Sequence, residues 1–267
     1  MPIRLGTQGW NYDAWVGPFY PRGTRAVDYL SLYARAFNVV EVDSTFYAIP
    51  SASAVRGWAA RVPAGFTFAL KLPKEISHEN RLCDPAGIAP LFFDRARELG
   101  GKLGPILIQL GPDFMPAERP ALAEFLPQLP LDLQFAVEFR QRGWISDDTL
   151  ALLADHNVAL ALTDARWIPR RTMFKLAEHP TADFAYVRWM GPNRDITDYS
   201  HIQFDRTREL EAWSETLRGL AGRVKDVWGF ANNHFAGHSP STARDLQKMV
   251  GQEPVMPEEL GPQRSLF

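Results

Sequence analysis

The stretch VVEVDSTFYAIP, residues 39–50, decides the fold. A short apolar run carries Glu41 and Asp43 two positions apart, then opens into an aromatic-rich loop. Side chains alternate along a strand, so Glu41 and Asp43 share a face. A buried strand rarely spends two carboxylates on one face unless something satisfies them. Working outward in both directions, the same signature recurs: an apolar run that ends in a charged or amide residue.

Eight such runs read as strands: Ile3–Gln8, Val39–Asp43, Thr67–Lys71, Pro105–Leu110, Gln134–Phe139, Val158–Thr163, Phe184–Trp189 and Val227–Ala231. Helical spacing lies between them. Thr24 is an expected N-cap ahead of Val27, Leu30, Ala34 and Phe37, and helices are expected at 53–61 and 118–127. Ile88, Leu91, Phe92, Ala96 and Leu99 form a stripe, as do Leu210, Trp213, Leu217 and Leu220. Ser146 caps a helix through Ala154, and Ser239 caps a last one with Pro240 in its first turn. RWIPRRTMFK, 166–175, reads as a long basic-aromatic loop in place of a helix.

Strands alternating with helices imply parallel βαβ units, and eight units in about 250 residues imply a closed (β/α)₈ TIM barrel, an α/β fold. An open doubly wound sheet is the competitor, but no GxGxxG follows the first strand. Residues 1–250 are therefore read as one barrel domain and 251–267 as a surface tail.

The 46% apolar content of the 267 residues supports a large core, and 29 basic against 31 acidic side chains leave a net charge of -2. That balance argues against a dedicated DNA-coating protein, though not against a local basic patch. The single cysteine, Cys83, excludes an internal disulfide, and no disulfide-linked partner is expected. No run approaches the roughly 18 apolar residues of a membrane span, so no membrane partner is expected. MPIRLGTQGW enters a strand directly, without the basic and apolar regions of a signal peptide. The expected location is cytoplasmic.

In this fold the site lies at the C-terminal ends of the strands. Those ends supply Gln8, Glu41, Asp43, Lys71, Gln109, Glu138, Arg140, Asp164, Arg188, Asn232 and Asn233. A wet barrel mouth would also be polar, which is the plainer account of the same residues. Glu138 and Lys71 are the acid/base candidates. A carboxylate in a partly dry mouth has a raised pKa, and a lysine beside Arg188 or Arg140 a lowered one. The alternative is that Glu138 only pairs with Lys71 or Arg188 to close the barrel top. Arg140, Arg188, Lys71 and the Ser239 helix start form an expected anion site for a small anionic ligand.

Glu41, Asp43, Glu138 and Asp164 are the set that would accept Mg²⁺ or Mn²⁺, which prefer oxygen ligands. No HxH or HExxH occurs, and no residue is assigned as a metal ligand. Trp10, Tyr12, Trp15, Phe46, Tyr47, Trp167 and Trp189 would stack sugars or unpaired bases, or else simply cap the barrel.

GTQGWNYDAWVGPFYP (6–21), EVDSTFY (41–47), FTFALKLPKEISH (66–78), LGPILIQLGPDF (103–114), FAVEFRQRGW (135–144), YVRWMG (186–191) and ANNHFAGHSPSTARDLQ (231–247) together resemble the YecE-like family, the domain of unknown function 72. The family is similar to TIM barrels of the sugar-isomerase and endonuclease IV type. By position the resemblance directs attention to Glu41 as a further catalytic candidate and to Lys71, Gln109, Glu138, Arg140, Arg188 and Asn232. The chain departs from the family at Asp43, where Asn is usual, and at Met190, where His is frequent. Those departures point to substrate preference and not to an essential shared role.

The leading expectation is an enzyme that moves protons on an anionic or phosphorylated carbohydrate, of isomerase, lyase or hydrolase type. Glu138, Lys71 and Glu41 would be catalytic; Arg140, Arg188, Gln109, Asn232, Asn233, Trp10 and Tyr47 would bind substrate. Nucleic-acid binding or processing, with 166–175 on phosphates, is the alternative. A non-catalytic ligand-binding barrel is the third.

Overall fold

Val39–Val42 forms β2, every residue of it buried. It pairs in parallel with β1 (Ile3–Gln8) on one side and β3 (Thr67–Lys71) on the other. β4 (Leu103–Gln109), β5 (Phe135–Glu138), β6 (Ala159–Ala165), β7 (Phe184–Gly191) and β8 (Asp226–Ala231) continue the sheet, and β8 returns to β1 to close the barrel. The computed structural model describes residues 3–83, 87–192 and 195–261.

The helices outside are α1 (Tyr29–Ala36), α2 (Ala52–Ala60), α3 (Ala89–Arg97), α4 (Arg119–Phe125), α5 (Asp147–Asp155), α6 (Arg170–Leu176), α7 (Thr207–Ala221), the single turn α8 (Asn233–Ala236) and α9 (Ser239–Met249). Ser146 caps α5 by accepting from Thr149 N at 3.3 Å, as its position predicts. Thr24 does not cap α1: its hydroxyl donates to Pro21 O at 2.6 Å, and the chain reaches the helix through a 3₁₀ turn at Ala26–Asp28.

The segment 166–175 is corrected as well. Pro169 turns the chain into α6, which buries Met173 and sets Phe174 edge-on to Trp213 of α7 at 4.9 Å. Seven residues with three charges carry too little apolar periodicity to be recognised as a helix before the packing is known.

Two apolar layers result. Inside the barrel, Val39, Ala69, Leu107, Ala136, Ala159, Ala161, Phe184, Tyr186, Trp228 and Phe230 form a closed cluster. Alanines on β3, β5 and β6 make room for the large rings of β7 and β8, which is how an eight-stranded interior fills without voids. The second layer lies between strands and helices, around Trp15, Phe19, Tyr33, Phe92 and Trp213. The apolar plug fills the barrel floor, so polar side chains can gather only above it.

The reading of 251–267 as a surface tail needs correction for its described part. Leu260 is buried, and Arg35 of α1 donates to the carbonyls of Leu260 (3.0 Å) and Glu259 (2.8 Å). One apolar residue in a proline-rich stretch gives no periodic signal, yet it anchors the segment. Residues 262–267 lie outside the described residues.

Candidate functional site at the barrel mouth

Arg188 of β7 occupies the centre of the barrel just above the apolar plug, 1% exposed. Glu41 of β2 grips it with both oxygens, from Nε at 2.9 Å and Nη2 at 2.7 Å. Nη1 donates to Glu138 of β5 and, at 3.4 Å, to Gln109 of β4. Tyr186, one inward position below, donates to Glu41 at 2.7 Å. Strand register produces the convergence: Gln8 lies opposite Glu41, and Gln109 opposite Glu138. One guanidinium thus satisfies two buried carboxylates, Glu41 and Glu138; Asp43, the other acid of the β2 stretch, is not part of that pairing.

This girdle changes the role expected of Glu138. Burial alone would raise its pKa, but the charges of Arg188 and Arg140 and their hydrogen bonds pull it down to about 2. The direction is opposite to the raised value expected from a dry mouth. Glu138 therefore stays ionised across the physiological range, and Glu41, Gln109 and Arg188 are spent on each other.

One layer higher the picture reverses. Asp43 follows β2, and its pKa rises to about 6 through burial and the neighbouring charge of Glu41, partly offset by Lys71 and Arg188. Lys71, at the end of β3 and 8% exposed, is lowered to about 8 by burial, with Arg188 adding and Asp43 opposing. The Lys71 ammonium sits 3.9 Å over the ring of Phe46. Asp43 was set aside at the sequence level as a departure from its relatives; its titration near neutrality becomes visible only when Glu41 is placed behind it.

The remaining wall has two sides. Tyr12, Gln8, Asn232, Met190, Tyr199 and His234 line the β7–β8–β1 side. Asn232 donates to Gln8 at 2.7 Å, and Tyr199 OH lies 3.2 Å from His234 Nε2. Turning the Gln8 amide over exchanges the bond from Asn232 for the girdle: its oxygen then accepts from Arg188 at 3.1 and 3.2 Å. On the far side Arg140 lies between Glu138, which its Nε reaches at 3.0 Å, and the Trp167 ring.

His78 stands edge-on to Phe46 at 5.0 Å, on a single π-helical turn at Glu75–Glu79, a geometry often found beside functional sites. Burial and the charges of Lys71 and Arg140 depress its pKa. His78 and Tyr199 have no role in the sequence reading, because loop residues carry no period that would find them; Tyr12 enters there only among the aromatics that stack a ligand or cap the barrel.

A cleft of about 70 Å³ opens among Glu138, Arg140, Trp167, Met190, Gly191 and His234. Gly191 has φ +73°, and a Cβ there would stand 2.3 Å from His234 O, so this wall closes only with glycine. Larger hollows, of about 480 and 450 Å³, lie on the outside of α3 and α4 and at the opposite end of the barrel. Neither gathers converging polar groups of the kind found here.

Four further expectations are corrected. Asn233 is buried, and its Oδ1 accepts from Trp15 Nε1 (3.3 Å), Ser239 N (2.9 Å) and Ser239 Oγ (2.8 Å). Asn233 thus fastens α9 to the barrel and does not face a ligand. The Ser239 helix start is consequently no open anion site; His238 is the cap, accepting from Ser241 N at 3.3 Å. Trp10 packs edge-on to Trp58 (6.0 Å) and Phe68 (6.3 Å), within the layer outside the barrel. The proposed Mg²⁺ or Mn²⁺ set is not assembled: Asp164 points outward to Arg170 (2.6 and 3.1 Å) and to Trp213 Nε1 (2.7 Å), and Glu41 and Glu138 hold Arg188. Among the described residues no three histidine, cysteine or acidic side chains form a metal-binding group. Tyr47, by contrast, is 73% exposed at the rim.

The protein is thus a (β/α)₈ barrel with a charged, partly dry mouth at the C-terminal ends of its strands. Residues 4–265 match the model described as "Protein of unknown function DUF72", and the chain belongs to that family. It is 33% identical to UPF0759 protein YecE of Escherichia coli K12 over 138 residues, 52% of this chain and 48% of that protein. The matched part thus spans about half the length of that relative. UPF0759 protein YunF of Bacillus subtilis is 24% identical over 94% of this chain and 95% of its own. A DUF72-family structure from Thermotoga maritima matches with a TM-score of 0.80 at 24% identity, covering 94% of this chain and 100% of that one, which supports the fold. Among the described residues no helix is long and apolar enough to cross a membrane.

Proposed function

We propose that the barrel mouth is an active site that moves protons on a small anionic carbohydrate. One observation carries this reading: Asp43 and Lys71 feel each other's charge at the mouth, and burial brings their pKa values to about 6 and about 8, on either side of neutrality. Groups tuned to opposite sides of the working pH are suited to accept and return a proton. A structural ion pair would be expected to shift outward, as Glu138 does.

Arg140 supports the anionic character of the substrate. It lines the cleft, and among the described residues only its Nε is committed, to Glu138, so its terminal nitrogens suit a carboxylate or phosphate. The Gln8 and Asn232 amides and the faces of Trp167 and Tyr47 suit the hydroxyls and C–H faces of a sugar. Glu41, Glu138, Gln109 and Arg188 hold the frame on which the proton carriers are mounted. Because Asp43 departs from the family pattern, its part in the chemistry belongs to this chain.

Nucleic-acid binding through 166–175 loses support from the same geometry. Arg170 is paired with Asp164, and Phe174 is packed on Trp213. Arg166, stacked 4.3 Å over Trp167, Arg171 and Lys175 remain exposed in that stretch.

A thermal-shift screen of sugar phosphates, sugar acids and short single-stranded oligonucleotides, with and without Mn²⁺, tests the reading. A ligand at ~100 times its dissociation constant stabilises by about 2.7 kcal/mol. The expected result is a sugar anion that shifts wild type but not Arg140→Gln, followed by product formation that Asp43→Asn abolishes. Shifts from oligonucleotides alone, lost on adding salt, would replace this reading with the nucleic-acid one.

A further inference from the structure

We propose that Lys71 is a covalent site whose amine adds to the carbonyl carbon of a small hydroxylated aldehyde or ketone, forming an imine at the barrel mouth. This inference rests on the reading of the mouth as a sugar site and specifies the chemistry done there.

The geometry is unusual for a buried cation. Lys71 is nine-tenths buried, yet among the described residues its Nζ makes no hydrogen bond and no ion pair; the Phe46 ring face is its contact. Burying an unpaired ammonium is costly. Two other cations are satisfied: half-buried Lys102 donates its Nζ to Ala59 O at 2.6 Å and Val62 O at 2.7 Å, and fully buried Arg188 holds two carboxylates. At Lys71 two of the three nearby carboxylates, Glu41 and Glu138, are consumed by Arg188. The arrangement thereby favours the neutral amine, whose lone pair is the nucleophile.

The lysine is also held in place. Thr45 Oγ1 donates to Lys71 O at 2.7 Å and accepts from Lys71 N at 3.0 Å, clamping the backbone at the strand end. The Phe46 ring covers Nζ from one side at 3.9 Å, and the charge of Asp43 acts on it at the mouth.

The chemistry balances without a redox partner. The nitrogen lone pair attacks the carbonyl carbon, and the π electrons move to oxygen, which takes the first of the two N–H protons by way of the Asp43 carboxylate. Nitrogen gives up the second proton to the Asp43 carboxylate, Asp43 returns it to the departing hydroxyl, and water leaves as the C=N bond forms. Amine and carbonyl thus give imine and water. Protonated, the imine draws electrons from the neighbouring C–H bond, which eases the proton removal proposed above.

The test treats the full-length protein with dihydroxyacetone phosphate or glyceraldehyde 3-phosphate in the presence of sodium cyanoborohydride, whose hydride converts an imine to a stable secondary amine. Adducts are mapped by peptide mass across every lysine. The expected outcome is labelling of Lys71 at least about tenfold above exposed Lys248, rising as pH passes through the Lys71 titration. No adduct on Lys71 with either sugar, or labelling no greater than at Lys248, overturns the proposal.

A parallel arm follows deuterium uptake from D₂O into carbon-bound positions of the same sugars, without reductant, for wild type and Lys71→Arg. Uptake by wild type without trapping refutes the imine and leaves proton transfer standing. Trapping without uptake keeps the imine and refutes proton transfer. Equal uptake by Lys71→Arg, which cannot form an imine, also overturns the covalent role.

Discussion

Arg188 and Glu41, 147 residues apart in sequence, form a two-point ion pair of 2.7 and 2.9 Å across the barrel, with neither side chain reached by solvent. Everything catalytic proposed here is mounted on that pair. By holding Glu41 and Glu138, Arg188 leaves Asp43 as the nearby carboxylate not committed to it, beside a Lys71 whose Nζ makes no ion pair among the described residues.

Removing Arg188 strands two buried carboxylates. Arg188→Met is expected to cost about 3–5 kcal/mol, the range for breaking a buried pair from one side. Urea unfolding at neutral pH measures it; a loss under 1 kcal/mol would mean that the girdle is solvated or dispensable.

Acid should dismantle the same girdle. The Glu138 pKa falls from 4.5 to about 2 in the folded protein, so its stabilisation is complete above pH 4.5 and is lost as pH falls toward 2. The shift corresponds to roughly 3 kcal/mol. Wild type should lose stability steeply across that window, while Glu138→Gln, weaker at pH 7, should show a flatter acid limb. Parallel acid limbs would contradict the assignment.

Asp43 works in the opposite sense. Its folded pKa is raised from 3.8 to about 6, so the folded state is favoured below pH 3.8 and penalised as pH climbs through 6. Asp43→Asn should therefore stabilise the protein at pH 8, by on the order of 1–3 kcal/mol, and do so less at pH 4. It should also lower the Lys71 titration below about 8, because the carboxylate that opposes its burial is gone. Melting curves at the two pH values and the pH midpoint of Lys71 labelling measure both effects.

Asn233 and Arg140 should separate scaffold from site. Asn233→Ala leaves three buried donors short of an acceptor and is expected to destabilise by about 2–4 kcal/mol. Once allowance is made for the lower melting point, the shift produced by a sugar anion should be unchanged.

Arg140→Gln should behave in the reverse way. Loss of its charge is expected to weaken binding of a sugar anion about tenfold, near 1.4 kcal/mol. Calorimetric titration against the charged sugar and its uncharged parent decides, and equal weakening of both would remove Arg140 from anion recognition.

The sequence by itself determined the barrel and the place of its mouth. Strand and helix periods are local, and Glu41 and Asp43, two residues apart after an apolar pair, already require an inward polar face. The departures came where one residue's role depends on a distant one. Asp164 reads as a strand-end carboxylate like the others, but a one-position change in parity turns it outward to Arg170 and Trp213. Asn233 reads as a second amide at the mouth, yet α8 turns it onto Ser239. Glu138 and Asp43 are both acids at strand ends. Only tertiary structure decides that two arginines hold the first ionised while burial, with Glu41 adding to it, raises the second to about 6, because a pKa is set by burial and by charges brought close in space, which the order of residues does not contain.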